Sequence, residues 1–194
     1  MTDRKDQISE LVEDARAGNR MAADQLVSLF HEDIFRMVYY RTSSRMDAED
    51  LTQDIFVQMF KNLRSLKDAG RFRAWLFRIA LNRIRDFYRK KSVMAFWGTT
   101  VEFDDTDHSD AVPHETPADK LIMEKEFLNQ LNQFTDKLSK MEREVFILRF
   151  IDHLGIREIA DTLKKGESTI KTHLYRALKK FRQTPGIHDL LKGT

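Results

Sequence analysis

Apolar residues recur at helical spacing along most of the chain, and the clearest pair of such runs lies between Gly155 and Arg182. There Ile156, Ile159, Ala160 and Leu163 mark one amphipathic helix, and Ile170, Leu174, Leu178 and Phe181 mark a second. Lys164, Lys165 and Gly166 interrupt the pattern. Glycine takes a positive backbone dihedral without steric cost, so a turn is expected there. Folding the two apolar stripes together leaves Glu167, Ser168, Lys171, Thr172, Tyr175, Arg176 and Lys179 facing outward. This is the outline of a helix-turn-helix, whose second helix enters the DNA major groove with its first turns at base edges.

The same spacing continues through the rest of the chain. Ile8 to Ala17 is expected as a short helix closed by Gly18 and Asn19, and Met21 to about Arg41 as a longer one with Leu26, Leu29, Phe30, Ile34, Met37 and Val38 inward. From Met46 to Leu66 a third helix turns Leu51, Ile55, Phe56, Met59, Phe60 and Leu63 inward, and its opposite face begins with Asp47, Glu49, Asp50, Gln53 and Asp54. Arg71 to Lys91 carries an inward stripe of Phe72, Trp75, Leu76, Ile79 and Ala80. Ala118 to Phe134 and Lys140 to Ile151 are helices expected to complete the core of the helix-turn-helix. Ser139, three residues before Glu142, is a capping-box start. Pro185 and Gly186 end the last helix. The fold class is all-α, with two small helical domains at 1–92 and 118–194 and a flexible linker at 93–117.

Charge sharpens this picture because it is segregated. The net charge is only +2, yet Lys164 to Arg182 holds seven basic residues against the single acid Glu167. Seven acids lie between Glu102 and Asp119 with no lysine or arginine, together with Pro113 and Pro117, the composition of a self-repelling linker. Fully extended, Ser92 to Thr116 would reach about 80 Å at ~3.3 Å per residue, enough to let two domains grip separated DNA sites. The helix dipole favours acids in a first turn, which covers Asp47, but Asp54 lies too far in. No histidine accompanies these carboxylates, so the acidic face reads as a docking surface for a basic partner rather than a metal site. On the fourth helix Arg71, Arg73, Arg78, Asn82, Arg83, Arg85, Arg89, Lys90 and Lys91 form a basic exterior with Phe87 and Tyr88 interleaved, a composition suited to single-stranded nucleic acid. Phe72 and Trp75 match the buried spacing and read as core. Cysteine is absent, excluding disulfides and thiolate chemistry. No apolar run approaches the roughly 20 residues of a membrane span, so a soluble cytoplasmic protein is expected.

DAEDLTQDIFVQMFKNL (Asp47 to Leu63), FRAWLFRIALNRIRDFYRKK (Phe72 to Lys91), LSKMEREVFILRFID and the helix-turn-helix, in this order around an acidic linker, together resemble bacterial RNA polymerase sigma factors of the extracytoplasmic-function group. The resemblance covers nearly the whole chain and matches sigma regions 2 and 4. It implies that Asp47, Glu49, Asp50, Gln53 and Asp54 dock on the clamp helices of core RNA polymerase. The loop from Lys67 and the helix after it would recognise and open the minus-ten element through Arg71, Arg73, Arg78, Asn82, Arg83, Asp86, Arg89 and Lys90. The recognition helix would read the minus-thirty-five element through Glu167, Ser168, Thr169, Lys171, Thr172, Tyr175, Arg176 and Lys179, while region 4 meets the polymerase flap. The resemblance further implies promoter DNA and an anti-sigma factor as partners, no cofactor, no metal and no membrane insertion. Lys164 and Lys165 depart from the family, which usually has Gly and an apolar residue there, as do Ser168 and His173.

The alternative is a stand-alone helix-turn-helix transcriptional regulator, which leaves the acidic third helix and the arginine-rich fourth without a task. An enzyme would need a nucleophile or metal constellation, and the chain offers none.

Overall fold

The computed structural model describes residues 2–96 and 129–184, and among these residues there is no β-strand. The chain divides into two compact units: the helices before residue 97 form the first and those after residue 128 the second, except that Asp161–Leu163 group with the first. The acidic segment Glu102 to Asp119, the residues Leu121, Ile122, Phe127 and Leu128, Trp97, and the stretch from Pro185 onward lie outside the described residues.

In the first unit α1 (Thr2–Arg16), α2 (Arg20–Thr42), α3 (Arg45–Asn62) and α4 (Phe72–Phe96) pack in sequence, with α2 against α1 and α3, and α4 against α3 and α2. α1 starts well before Ile8, where the expected helix began. Gly18 supplies the positive φ of +98° that ends α1. Asn19 serves both helices: its amide closes α1 on the Asp14 carbonyl at 3.0 Å, as expected, and its side-chain oxygen accepts from the amides of Met21 at 3.0 Å and Ala22 at 3.3 Å, making it the N-cap of α2 as well. α3 opens with Ser44 capping the Asp47 amide at 3.2 Å and stops at Asn62, giving way to a 3-10 turn at Leu63–Ser65. A second 3-10 turn, Ala69–Arg71, is closed by Asp68, whose carboxylate accepts from the Gly70 amide at 2.9 Å and from Arg71 at 3.1 Å. Phe72 and Trp75 are buried as the spacing implied, with Phe72 edge-on to Phe30 at 5.3 Å between centroids. The apolar start of the expected linker, from Val93, continues α4 as far as Phe96.

Two residues placed inward by periodicity are not inside. Leu29 on α2 is 44% exposed and Phe60 on α3 is 41% exposed. Helical spacing fixes their angles on the helix, but the neighbouring helices do not extend far enough round to cover them.

The second unit contains helical residues 129–135, then α5 (Lys140–Phe150), α6 (Ile156–Leu163) and α7 (Glu167–Arg182). Its centre is aromatic: the Phe134 ring meets Phe146 edge-on at 5.0 Å and Phe181 at 5.3 Å, all three being buried. Leu131, Val145, Leu148 and Ile151 are buried around them, while Met141 is only half-buried. The capping box forms in both directions, with the Ser139 hydroxyl accepting from the Glu142 amide and the Glu142 carboxylate accepting from the Ser139 amide at 3.0 Å. Glu142 is 7% exposed and also accepts from Lys180 of α7 at 2.6 Å, so this lysine fastens α7 to the start of α5. α7 ends at Arg182, before Pro185 is reached.

The hydrogen bond from Lys180 and those from Ser139 hold the Glu142 carboxyl below its ordinary value of 4.5. A carboxylate depressed in the folded state stabilises fully above its unfolded value, and that contribution is lost as pH falls through the folded one. Urea unfolding of the wild type and of Glu142→Gln is therefore expected to differ most near neutrality, and the gap to narrow as pH falls below 4.5. A gap independent of pH would show that the glutamate acts only by packing.

A turn joins α6 and α7 where expected, but the left-handed residue is Lys164, at φ 54° and ψ 48°, not Gly166. The Lys165 amide closes the helix end on the Ala160 carbonyl at 3.0 Å, a Schellman closure that requires the αL residue directly after the helix. Gly166 sits at φ −70° and ψ 147° as the N-cap of α7, a conformation open to any residue. A Cβ there would meet the Ser168 and Thr169 hydroxyl oxygens at 3.8 and 4.0 Å, ordinary contacts. Lys164→Gly is thus expected to stabilise the unit by about 1 kcal/mol, and Gly166→Ser to be accommodated. Urea midpoints of the two variants check this, and a loss for Lys164→Gly would refute it.

Candidate functional site

Three exposed faces of different chemistry stand out on these helices. The first is on α3. At 100° per residue Met46, Glu49, Asp50, Gln53, Val57 and Phe60 fall within an arc of about 100°, and all six are exposed. The stripe mixes acids with apolar groups: Met46 is 67% exposed and Val57 42%. A solvated helix face would be polar throughout, whereas apolar groups set among acids are what a protein-docking surface presents. Met46, Val57 and Phe60 were not among the expected site residues. Met46 and Val57 stood outside the sequence-derived inward stripe, and reading that stripe against the acidic face would have found them.

The expected docking residues separate on this helix. Glu49, Asp50 and Gln53 lie on the stripe, with Glu49 paired to Arg45 at 2.9 Å. Asp47 and Asp54 lie about 40–60° further round, at the edge of the buried side. Asp47 is half-buried there. Asp54 accepts from Arg83 of α4 at 2.6 Å.

The second face is on α4, where Arg78, Asn82, Arg85, Asp86 and Arg89 share an arc of about 100°. Asn82, Arg85 and Arg89 are exposed, Arg78 and Asp86 half-buried, and Asp86 pairs with Arg89 at 3.1 Å. Lys90 is exposed at the margin, and Arg71 stands exposed at the foot of the helix, held by Asp68. Two expected members are elsewhere. Arg73 turns back over the Phe77 ring, 5.1 Å from its centroid, with Asp33 at 3.7 Å, because it lies on the side of α4 that faces the core. Arg83 is directed to α3, as above. The interleaved aromatics are also engaged: the Tyr88 hydroxyl donates to the Arg41 carbonyl, and the Lys91 ammonium lies 5.7 Å from the centre of the Phe87 ring.

The third face is on α7. Ser168, Lys171, Thr172, Tyr175, Arg176 and Lys179 occupy an arc of about 140° and are all exposed, as are Glu167 and Thr169. Ile170, Ala177 and Phe181 hold the opposite side in the core. Thr172 donates to the Ser168 carbonyl at 2.9 Å, so its hydroxyl offers a ligand mainly acceptor capacity. Tyr175, 69% exposed, projects from the middle of the face. Lys180 does not join it, being committed to Glu142.

No helix among the described residues is long and apolar enough to cross a membrane, and no group of three or more His, Cys, Asp and Glu residues among them is placed to hold a metal.

Comparison with known proteins accounts for this arrangement. Residues 26–93 match the model of sigma-70 region 2, and residues 128–181 match that of sigma-70 region 4. The ECF RNA polymerase sigma factor BldN of Streptomyces coelicolor is 32% identical over 88% of this chain, which spans 62% of that protein's length. The ECF RNA polymerase sigma factor SigW of Bacillus subtilis is 26% identical over 91% of this chain and 95% of its own. Among solved structures, that of CnrH, a sigma factor of Cupriavidus metallidurans, in complex with the cytosolic domain of CnrY covers 96% of this chain and 97% of its own, at 26% identity and a TM-score of 0.65. With the two regions in order, one on each helical unit, the chain belongs to the sigma-70 family of RNA polymerase sigma factors, in its extracytoplasmic-function group.

Proposed function

We propose that this protein is a dissociable specificity subunit, which performs no chemistry of its own but seats on core RNA polymerase and directs it to one class of promoter. The observation that carries this reading is that one chain carries an acid-and-apolar stripe on α3 together with polar, cation-rich faces on α4 in the first unit and on α7 in the second. A regulator acting alone would need only the α7 face. Region 2, at 1–92, docks on the polymerase clamp through Glu49, Asp50, Gln53 and their apolar neighbours, and opens the minus-ten element with Arg71, Arg78, Asn82, Arg85, Asp86, Arg89 and Lys90. Region 4, at 118–194, reads the minus-thirty-five element with the exposed face of α7 and meets the flap, and residues 93–117 join the two. Unstacking costs a few kcal/mol per step, offset by capture of an extruded base and by cationic contacts. The protein works in the cytoplasm, where the polymerase is. Since the related CnrH was solved with the cytosolic domain of CnrY, an anti-sigma factor is a natural partner here too.

The test is transcription of genomic DNA in vitro by purified core polymerase, with start sites mapped in the presence and absence of this chain. A new set of start sites is expected only when both are present. A chain that does not bind core, or binds and leaves the start sites unchanged, would refute the reading, and tight footprinting of an operator without core would establish the stand-alone regulator.

The α7 face carries its own expectation. Arg176→Ala or Lys179→Ala should weaken duplex binding and lower the slope of log affinity against log salt by about 0.9 for each phosphate no longer neutralised. Titrations of the full chain at several salt concentrations measure this; an unchanged slope would remove that residue from the phosphate-binding set.

A further inference from the structure

The ion pair between α3 and α4 joins two surfaces that serve different partners. Arg83 donates to Asp54 at 2.6 Å across 29 residues of sequence. The Arg83 side chain is 29% exposed and that of Asp54 56%, so the carboxylate is the open side of the pair. Arg83 lies about 60° round α4 from the edge of its outer face, and its Nε is buried without an acceptor among the described residues. In this state the guanidinium is turned from the nucleic-acid face and its charge is answered by Asp54. We propose that the pair is a latch: in the free chain Asp54 holds Arg83 back from nucleic acid, and docking of α3 on a cationic protein surface engages Asp54 and frees Arg83 to bind phosphate.

The inference rests on the proposed polymerase docking of α3. It requires no movement of either helix, only a change of partner by one carboxylate and a rotamer change by one long side chain. An incoming lysine or arginine can approach Asp54 from its exposed side and compete with Arg83 for the same oxygens. Because coupling between two binding events is reciprocal, a cation that draws Asp54 away favours phosphate on Arg83, and phosphate on Arg83 leaves Asp54 readier for the docking partner. Ion pairs of this partial exposure are modest in strength, so the latch shifts affinity without abolishing either interaction.

The experiment uses the full chain, a fluorescent oligothymidylate as single-stranded probe and purified bacterial core RNA polymerase. For the free chain, Asp54→Asn is expected to tighten oligothymidylate binding about two- to fivefold. Asp50→Asn makes the same charge change one turn earlier on α3 and serves as the control for net charge, with a smaller expected gain. In the Arg83→Gln background the gain from Asp54→Asn should vanish. With core at saturation the advantage of Asp54→Asn over the wild type should also vanish, because docking has already opened the latch. Equal gains from Asp50→Asn and Asp54→Asn, a gain that survives Arg83→Gln, or an advantage that persists on core would each overturn the proposal. Failure of the wild type to bind core would instead strike at the docking reading, while the free-chain cycle still reports whether Asp54 restrains Arg83.

Discussion

Phe146→Ala is expected to unfold the second unit at temperatures where the wild type is stable. Its ring is 1% exposed and lies 5.0 Å from Phe134 and 5.8 Å from Phe181, so it joins α5 to helical residues 129–135 and to α7. Truncating a buried phenylalanine costs about 3–5 kcal/mol, made up of lost transfer energy and of the cavity left behind. A small domain has total stability of only about 5–15 kcal/mol, often nearer the lower figure. The unit has few means of repair, since each ring of the cluster already packs on the other two and none can fill the space without leaving its own. Amide hydrogen exchange over residues 140–182 should therefore lose most of its protection in the variant, and duplex binding through α7 should fall with it. Protection within tenfold of the wild type would mean that the aromatic cluster is not what holds these helices together.

Phe60→Ala is expected to do the reverse, leaving the fold intact and impairing the partner interaction. The side chain is 41% exposed on a helix, and exposed substitutions away from special features usually change stability by no more than about 0.5 kcal/mol. Within the α3 stripe, however, it is the large aromatic among acids, the type of residue that anchors protein interfaces. Loss of such an anchor costs about 2 kcal/mol, or roughly 30-fold in affinity for core polymerase. Thermal melting paired with a core-binding titration separates the two roles. A melting point lowered by many degrees with unchanged affinity would make Phe60 a structural residue and deprive the stripe of its anchor.

These two phenylalanines show how far the chain could be read. Periodicity placed Phe60 inward with Ile55 and Met59, and those two are fully buried. Phe60 lies about 100° from the centre of the buried face, where the outcome depends on whether a neighbour reaches round to cover it. The capping box at Ser139 was legible because both partners are local, three residues apart. The second function of Glu142 was not, since Lys180 is 38 residues away and looks like one more cation of the recognition helix. Likewise Asn19 was legible as the close of one helix, where its amide meets the Asp14 carbonyl, but not as the start of the next, because N-cap preference and C-cap tolerance overlap in asparagine.

Amino-acid order alone determined the helices, the helix-turn-helix, the burial of Phe72 and Trp75, and the chemistry available on α3, α4 and α7, because each depends on neighbours within about one or two turns. Packing decided which of those groups are free. It set Arg73 over Phe77, tied Lys180 to Glu142, closed Arg83 on Asp54 and left Phe60 in solvent. An angle on a single helix says which way a side chain leaves the axis, but only the arrival of a second helix decides whether it meets water, a ring or an opposite charge.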